Sequence, residues 1–185
     1  MSRFSRLLLV TLMIVGLAGA ILPGFGQQVT VAAIFIGPIG DYGWSYVAHR
    51  DLTYLAEKHD WLDYLHAEAV PFPEAEGVIR DSIDKGATII FAHSFGYKGT
   101  LFMLAEEFPH VKFHYPGGFE TMANVATYYW NEHEVRFVTG VLSGMMTQTN
   151  VLGFVGAHPI LRLAWGINAY ILGVQQVNPD AEVRV

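Results

Sequence analysis

The stretch VTVAAIFIGPIGDYGWSYVAHRDLTYLAE, from Val29 to Glu57, predicts the fold of the chain around it. It opens with the apolar run Val29–Ile36, which has the length and composition of a strand buried on both faces. The glycine- and proline-containing run Gly37–Gly43 predicts a loop, because a helix interior does not tolerate it. A helix is expected from about Trp44. Its expected core positions are Val47, Leu52 and Leu55. Strand, loop and helix in this order form the first half of a βαβ unit.

Strands and helices continue to alternate along the rest of the chain. Further strands are expected at 61–67, 87–92, 111–115, 124–129, 150–156 and 181–185. Further helices are expected at 74–85, 97–108, 131–146 and 161–174. A repeat of roughly 25–30 residues per unit predicts an α/β fold, with a parallel sheet and right-handed crossovers. Ligands of such sheets bind beyond the carboxyl ends of the strands, so the loops at those ends are candidate binding segments.

Composition restricts the class of protein. The 185-residue chain is 52% hydrophobic and contains no cysteine, so its stability must come from a core rather than from disulfides. Its formal net charge is −6, and no basic cluster lies in the body of the chain. These features argue against nucleic acid as a partner.

The N-terminus has the pattern of a signal peptide over residues 1–26. Arg3 and Arg6 precede the apolar stretch Leu7–Ala20, which is shorter than the ~20 residues that span a bilayer. Small residues place the cleavage site after Ala20 or Gly26. We therefore expect an exported protein, in the periplasm or on the outer face of the cytoplasmic membrane. The alternative is an uncleaved membrane anchor.

Several motifs follow one another in an order that resembles one protein family. They are Gly37–Asp41 with Trp44 and Ser45, Asp84–Phe91, Glu107–Phe113, the E-x-x-F-x-x-G-x-x-x-G run Glu134–Gly144, and Val151–Ala157 followed by Gly166. In this order they resemble the basic membrane protein (BMP) family of ABC-transporter substrate-binding proteins, which includes purine nucleoside receptors.

The resemblance implies a fold like that of type I periplasmic binding proteins, in which two Rossmann-like lobes close on a ligand in the cleft. Residues 27–128 would form the first lobe and residues 129–185 the start of a second. The second lobe is expected to be truncated, because the chain ends as a strand begins. The implied function is binding, without catalysis or a cofactor. The implied ligand is a purine base, a nucleoside or a similar flat heterocycle, and the implied partner is an ABC permease.

Candidate ligand residues of the first lobe follow its strands. Trp44 stands where the family places an aromatic ring that stacks on the base, or it is a core tryptophan at the start of a helix. Ser45 would hydrogen-bond the ligand or cap the helix. Asp41 would bind a ring nitrogen or a hydroxyl, or bond to the backbone of its own turn. Ser94 and Phe95 end the third strand and should face the cleft.

Other candidates follow later strands. Gly117 and Gly118, with the adjacent Phe119, come after the fourth strand, at a place where purine nucleoside receptors tend to keep an acidic residue that grips the ribose. The run Pro116–Gly118 stands in place of that acid. A free base or another flat heterocycle therefore remains a possible ligand. The remaining candidates are Tyr128, which could equally pack in the hinge, and Gly156 and His158 after the 150–156 strand. His158 could instead cap or pack.

The sequence gives weaker support to an enzyme or to a metal-binding protein. Ala92–Gly96 is similar to the G-x-S-x-G nucleophile elbow, so a secreted α/β-hydrolase with Ser94 as nucleophile is the alternative function. No Asp-then-His pair follows on strand ends, and bulky residues follow the elbow. The glycines at 37, 40 and 43 do not have the spacing of a dinucleotide site. His110 and His114 lie too far apart along a strand to share a metal ion.

Overall fold

The structure, a computed structural model, describes residues 28–185. The predicted signal peptide, including Ala20 and Gly26, lies outside the described residues. The chain divides into two compact units. The first contains the described residues up to 114 together with 122–125, and the second contains 115–121 and 126–185.

The alternation of strands and helices predicted from the sequence is present. The strands are β1 (Val29–Phe35), β2 (Leu62–Ala67), β3 (Ala87–His93), β4 (Lys112–Pro116), β5 (Val125–Tyr128), β6 (Val151–Gly153) and β7 (Glu182–Arg184). The helices are α1 (Trp44–Lys58), α2 (Ala75–Asp84), α3 (Lys98–Glu107), α4 (Glu132–Met146) and α5 (Leu161–Val177), with short 3-10 turns at Phe72–Glu74 and Phe95–Tyr97.

The five-stranded sheet has the order β2-β1-β3-β4-β5. Strand β1 pairs in parallel with both β2 and β3, and β3 pairs in parallel with β4. Strands β6 and β7 form a separate parallel pair. The predicted α/β parallel-sheet fold is thereby confirmed. The apolar composition of β1 suits its place between β2 and β3, where Val31 is only 5% exposed and the next four residues are fully buried.

In the first unit, the buried side chain of Asn124 donates hydrogen bonds to backbone carbonyls. The Asn124 side-chain amide nitrogen lies 2.9 Å from the carbonyl oxygen of Ala105, 3.2 Å from that of Phe108 and 3.0 Å from that of Val111. Asn124 is buried, so it satisfies carbonyls at and beyond the end of α3 that water does not reach.

The expected core face of α1 is wrong at two positions. Val47 is 46% exposed and Leu55 is 41% exposed. Ser45 is the buried residue of this helix, and Leu52 is half-buried. The covered stripe runs from Ser45 through positions 48 and 49 to Leu52, which is the spacing of one helical face, and Val47 and Leu55 fall outside it.

In the second unit, α4 and α5 pack against each other through glycines. A Cβ atom built on Gly140 would lie 2.9 Å from the carbonyl carbon of Tyr170 and closer still to its oxygen. A Cβ atom on Gly173 would lie 2.9 Å from the backbone nitrogen of Val141 and would overlap the carbonyl oxygen of Phe137. The two helices therefore meet backbone to backbone. None of the helices in residues 28–185 has the length and apolar composition that crossing a membrane requires.

Candidate functional site

The loop between β1 and α1 is fixed by two carboxylates. Asp41 Oδ1 accepts a hydrogen bond from the Gly43 backbone N–H at 2.8 Å, which is the turn contact that the alternative interpretation of Asp41 predicts. Glu68, directly after β2, accepts from the Ile39 N–H at 2.8 Å. The loop is therefore held both within itself and from the neighbouring strand.

Ser45 anchors the start of the same loop. Its hydroxyl oxygen accepts from the Gly37 N–H at 3.2 Å, and the residue is 2% exposed. The N-cap of α1 is Gly43, which has no side chain to cap the helix, so the expectation that Ser45 caps it is wrong. The Ser45 hydroxyl instead joins the end of β1 to the first turn of α1.

Trp44 packs face to face with His93. Their ring centroids are 4.7 Å apart at an interplanar angle of 25°. The Trp44 Nε1–H donates to the His93 carbonyl at 2.9 Å, and His93 Nε2 lies 3.3 Å from the Trp44 carbonyl oxygen. Burial lowers the pKa of His93 to about 4, and its hydrogen bond to the Trp44 carbonyl partly opposes that shift. At neutral pH the imidazole is uncharged and donates from Nε2. Trp44 keeps 38% of its surface exposed at the carboxyl ends of β1 and β3, so the alternative of a fully buried core tryptophan does not hold.

Ser94 and Phe95 lie at the same edge of the sheet, after β3. The Ser94 backbone is extended, with φ −156° and ψ 143°, and its hydroxyl oxygen accepts from the Gly96 N–H at 3.3 Å. Ser94 therefore caps the 3-10 turn in which Phe95 is the first residue. A nucleophile elbow requires a strained, exposed serine, whereas Ser94 is unstrained and 5% exposed.

The second unit places Gly117 and Gly118 after β4. Gly117 has φ +75°, and its N–H donates to the Tyr128 carbonyl at 3.1 Å. A side chain on Gly118 would overlap the hydroxyl of Tyr115. Both glycines are buried. The absence of a side chain therefore lets the backbone of this loop pack closely against neighbouring residues.

Tyr128 ends β5, and burial raises the pKa of its phenol. Gly156 is exposed, and a Cβ atom there would lie 2.5 Å from Leu163 Cδ2, the end of a flexible side chain. His158 is half-buried, and its carbonyl accepts from the Ile160 N–H at 2.8 Å. Gly156 and His158 therefore form the connection from β6 into α5.

Some residues of these edges were not identified from the sequence. His93 and Glu68 were not singled out, although both stand at strand ends, where a polar residue is a usable signal. In the second unit, the guanidinium carbon of Arg162 lies 5.0 Å from the ring centroid of Phe119 and 5.1 Å from that of Tyr129. The signal for Arg162 was a cation in the first turn of a helix that follows a strand. Within residues 28–185, no three His, Cys, Asp or Glu side chains are grouped so that they could hold a metal ion.

Comparison with protein families gives one match to most of the chain. Residues 28–185 match the Bmp family, described as PnrA-like ABC transporter substrate-binding proteins.

Two relatives match at similar identity. A protein of Haloferax volcanii, named for glucose binding by an ABC transporter, is 34% identical over 163 residues, which are 88% of this chain and 42% of that protein. A purine-binding protein of Brucella abortus is 35% identical over 161 residues, which are 86% of this chain and 46% of that protein. The chain thus spans less than half the length of these two relatives.

Solved structures of ABC solute-binding proteins share the fold. One from Aeropyrum pernix K1 superposes with a TM-score of 0.68 at 22% identity, over 84% of this chain and 46% of that one.

Proposed function

Because this chain belongs to the Bmp family of PnrA-like ABC transporter substrate-binding proteins, we propose that its full-length protein binds a purine base or a similar flat heterocycle for import. The family is one of binding proteins, so the chemistry required is recognition of a small molecule rather than catalysis.

The observation that carries the proposal is the fixed orientation of the Trp44 indole, in a residue that is 38% exposed. Its indole is held by a hydrogen bond to the His93 carbonyl at 2.9 Å and by the His93 ring at 4.7 Å. A ring that is already oriented loses little side-chain entropy when a ligand stacks on it. Stacking of a base on an aromatic side chain is worth about 1–3 kcal/mol, and any flat heterocycle can use it.

The proposed ligand class also takes account of the loop after β4. Pro116, Gly117 and Gly118 stand where a carboxylate could have held ribose hydroxyls, so we expect bases to bind at least as well as nucleosides. The purine-binding relative supports a base, and the relative named for glucose makes a sugar the ligand to test against it.

The proposed location is outside the cytoplasmic membrane, with an ABC permease as the partner. The support is the family and the signal-peptide pattern at 1–26, which lies outside the described residues.

The proposal is tested by calorimetric titration of the full-length protein with adenine, hypoxanthine, inosine, cytosine and glucose. We expect the purine bases to bind. Trp44→Ala should weaken that binding by about 5- to 150-fold, the equivalent of about 1–3 kcal/mol. Trp44→Phe keeps a ring and should lose less.

Trp61→Ala is the matched control. Trp61 is 45% exposed and lies just before the amino end of β2, away from the loops that follow the strands, so purine affinity should not change. Binding of glucose without any purine would refute the proposed ligand class. Equal affinity of wild type and Trp44→Ala would refute the role of Trp44.

A further inference from the structure

His93 connects the core of the first unit to the Trp44 indole. The residue is 4% exposed. The fully buried Phe35 meets its imidazole edge to face, with ring centroids 5.7 Å apart at an angle of 78°. The partly exposed Trp44 stacks on the same imidazole at 4.7 Å and 25°. The indole therefore packs on a ring that is itself packed against the core.

The backbone around His93 is also held in place. Phe35 and His93 are partners in the parallel register of β1 and β3, so the sheet sets the position of the imidazole. The Trp44 Nε1–H donates to the His93 carbonyl at 2.9 Å, and His93 Nε2 donates to the Trp44 carbonyl at 3.3 Å. Each residue thus binds the backbone of the other through its own ring.

This contact does not depend on a charge. Burial lowers the pKa of His93 to about 4, so the imidazole is neutral at pH 7. His93 offers almost no surface to a ligand, whereas Trp44 keeps 38% of its surface exposed. A substitution at His93 is therefore expected to affect a ligand through Trp44 rather than by direct contact.

We propose that His93 is a positioning residue, whose imidazole fixes the Trp44 indole in the orientation that stacks on the ligand. The inference rests on the proposed function, because Trp44 is the stacking residue proposed there. Without the imidazole, the indole gains rotamers in the free protein, and the ligand must then immobilise it. Immobilising one such side chain on binding lowers affinity by about 2- to 13-fold.

The first test is calorimetric titration of the full-length protein with adenine and hypoxanthine at pH 7. His93→Ala removes the ring and its donor, so it should weaken binding by about 2- to 13-fold. His93→Phe keeps a ring that stacks on Trp44 and should lose less. A thermal melt verifies that each variant is folded.

His114→Ala is the matched control. His114 belongs to the same unit and stacks on Phe91, with ring centroids 5.0 Å apart at 20°. The substitution therefore removes a comparable contact between an imidazole and an aromatic ring, and purine affinity should not change.

A double variant separates positioning from an independent effect. In the Trp44→Ala background, His93→Ala should cause no further loss of affinity, because the ring that His93 positions is absent. Losses that simply add would show that His93 acts independently of Trp44, and they would overturn the proposal.

Nuclear magnetic resonance measures the indole directly in the free protein. The Trp44 Nε1–H signal is identified by its absence in Trp44→Phe, and ¹⁵N relaxation gives its order parameter. We expect about 0.85 in wild type and in His114→Ala, and a value below about 0.6 in His93→Ala.

An unchanged order parameter or an unchanged affinity in His93→Ala would refute the role of His93. Failure of wild type to bind either base would overturn the proposed function instead. The order parameter of the free protein would then still decide whether His93 fixes the indole.

Discussion

Gly140→Ala should destabilise the protein, although alanine is the better helix former. The added Cβ would lie 2.9 Å from the carbonyl carbon and 3.1 Å from the Cα of Tyr170, and it would overlap the carbonyl oxygen. These are backbone atoms of α5, so no rotamer change relieves the overlap, and the helices must separate by on the order of 1 Å.

The expected magnitude follows from two opposing terms. Overpacking of this kind costs about 1–3 kcal/mol, and backbone-to-backbone contact favours the upper end. The higher helix propensity of alanine stabilises the folded protein by about 1 kcal/mol and offsets part of this cost. We therefore expect the free energy of unfolding to fall by about 2 kcal/mol. Urea denaturation followed by circular dichroism measures it.

Gly99→Ala is the matched control. Gly99 lies in α3, and a Cβ there would have no atom within 4 Å, so this substitution should stabilise the protein by about 0.5–1 kcal/mol. A second arm uses Gly173→Ala, which acts at the same helix crossing. One separation of the helices accommodates both methyl groups, so the double variant should lose less than the sum of the single losses. The reasoning is refuted if Gly140→Ala is as stable as Gly99→Ala.

Two further predictions concern buried polar groups. The pKa of His93 is about 4 in the folded protein, below the ordinary value of 6.5, so the unfolded chain binds more protons between these pH values. Stability should therefore fall by about 2–3 kcal/mol from pH 7 to 4.5 in urea titrations. His93→Gln should show a smaller loss, and an equal loss would contradict the assignment. Asn124→Ala removes the donor to three backbone carbonyls and should lower the free energy of unfolding by about 2–3 kcal/mol. Asn124→Asp should lose at least as much at neutral pH, because a carboxylate would face the same carbonyls. A change under about 0.5 kcal/mol in Asn124→Ala would show that water replaces the amide.

The sequence was sufficient for the fold because its main signals are local. The buried strands β1 and β3 are continuous apolar runs that end in loops, and these properties depend only on neighbouring residues. The family motifs were likewise readable as a linear order, and residues 28–185 match that family. The E-x-x-F-x-x-G-x-x-x-G run was recognised as a motif. Why position 140 must be glycine became clear only when α5 was found against it.

Side-chain partners depended on the tertiary structure, because they join residues that are distant in the chain. Trp44 was a candidate from its place after a loop, but its contact with His93 spans 49 residues. Val47 and Leu55 were assigned to the core because they are apolar residues of a predicted helix. The face on which α1 packs leaves both exposed. The arrangement of Arg162 with Phe119 and Tyr129 joins segments that follow three different strands. The physical reason is the same in each case. Local sequence determines which segments become strands and helices, whereas side-chain neighbours are determined by packing between segments, which no local pattern encodes.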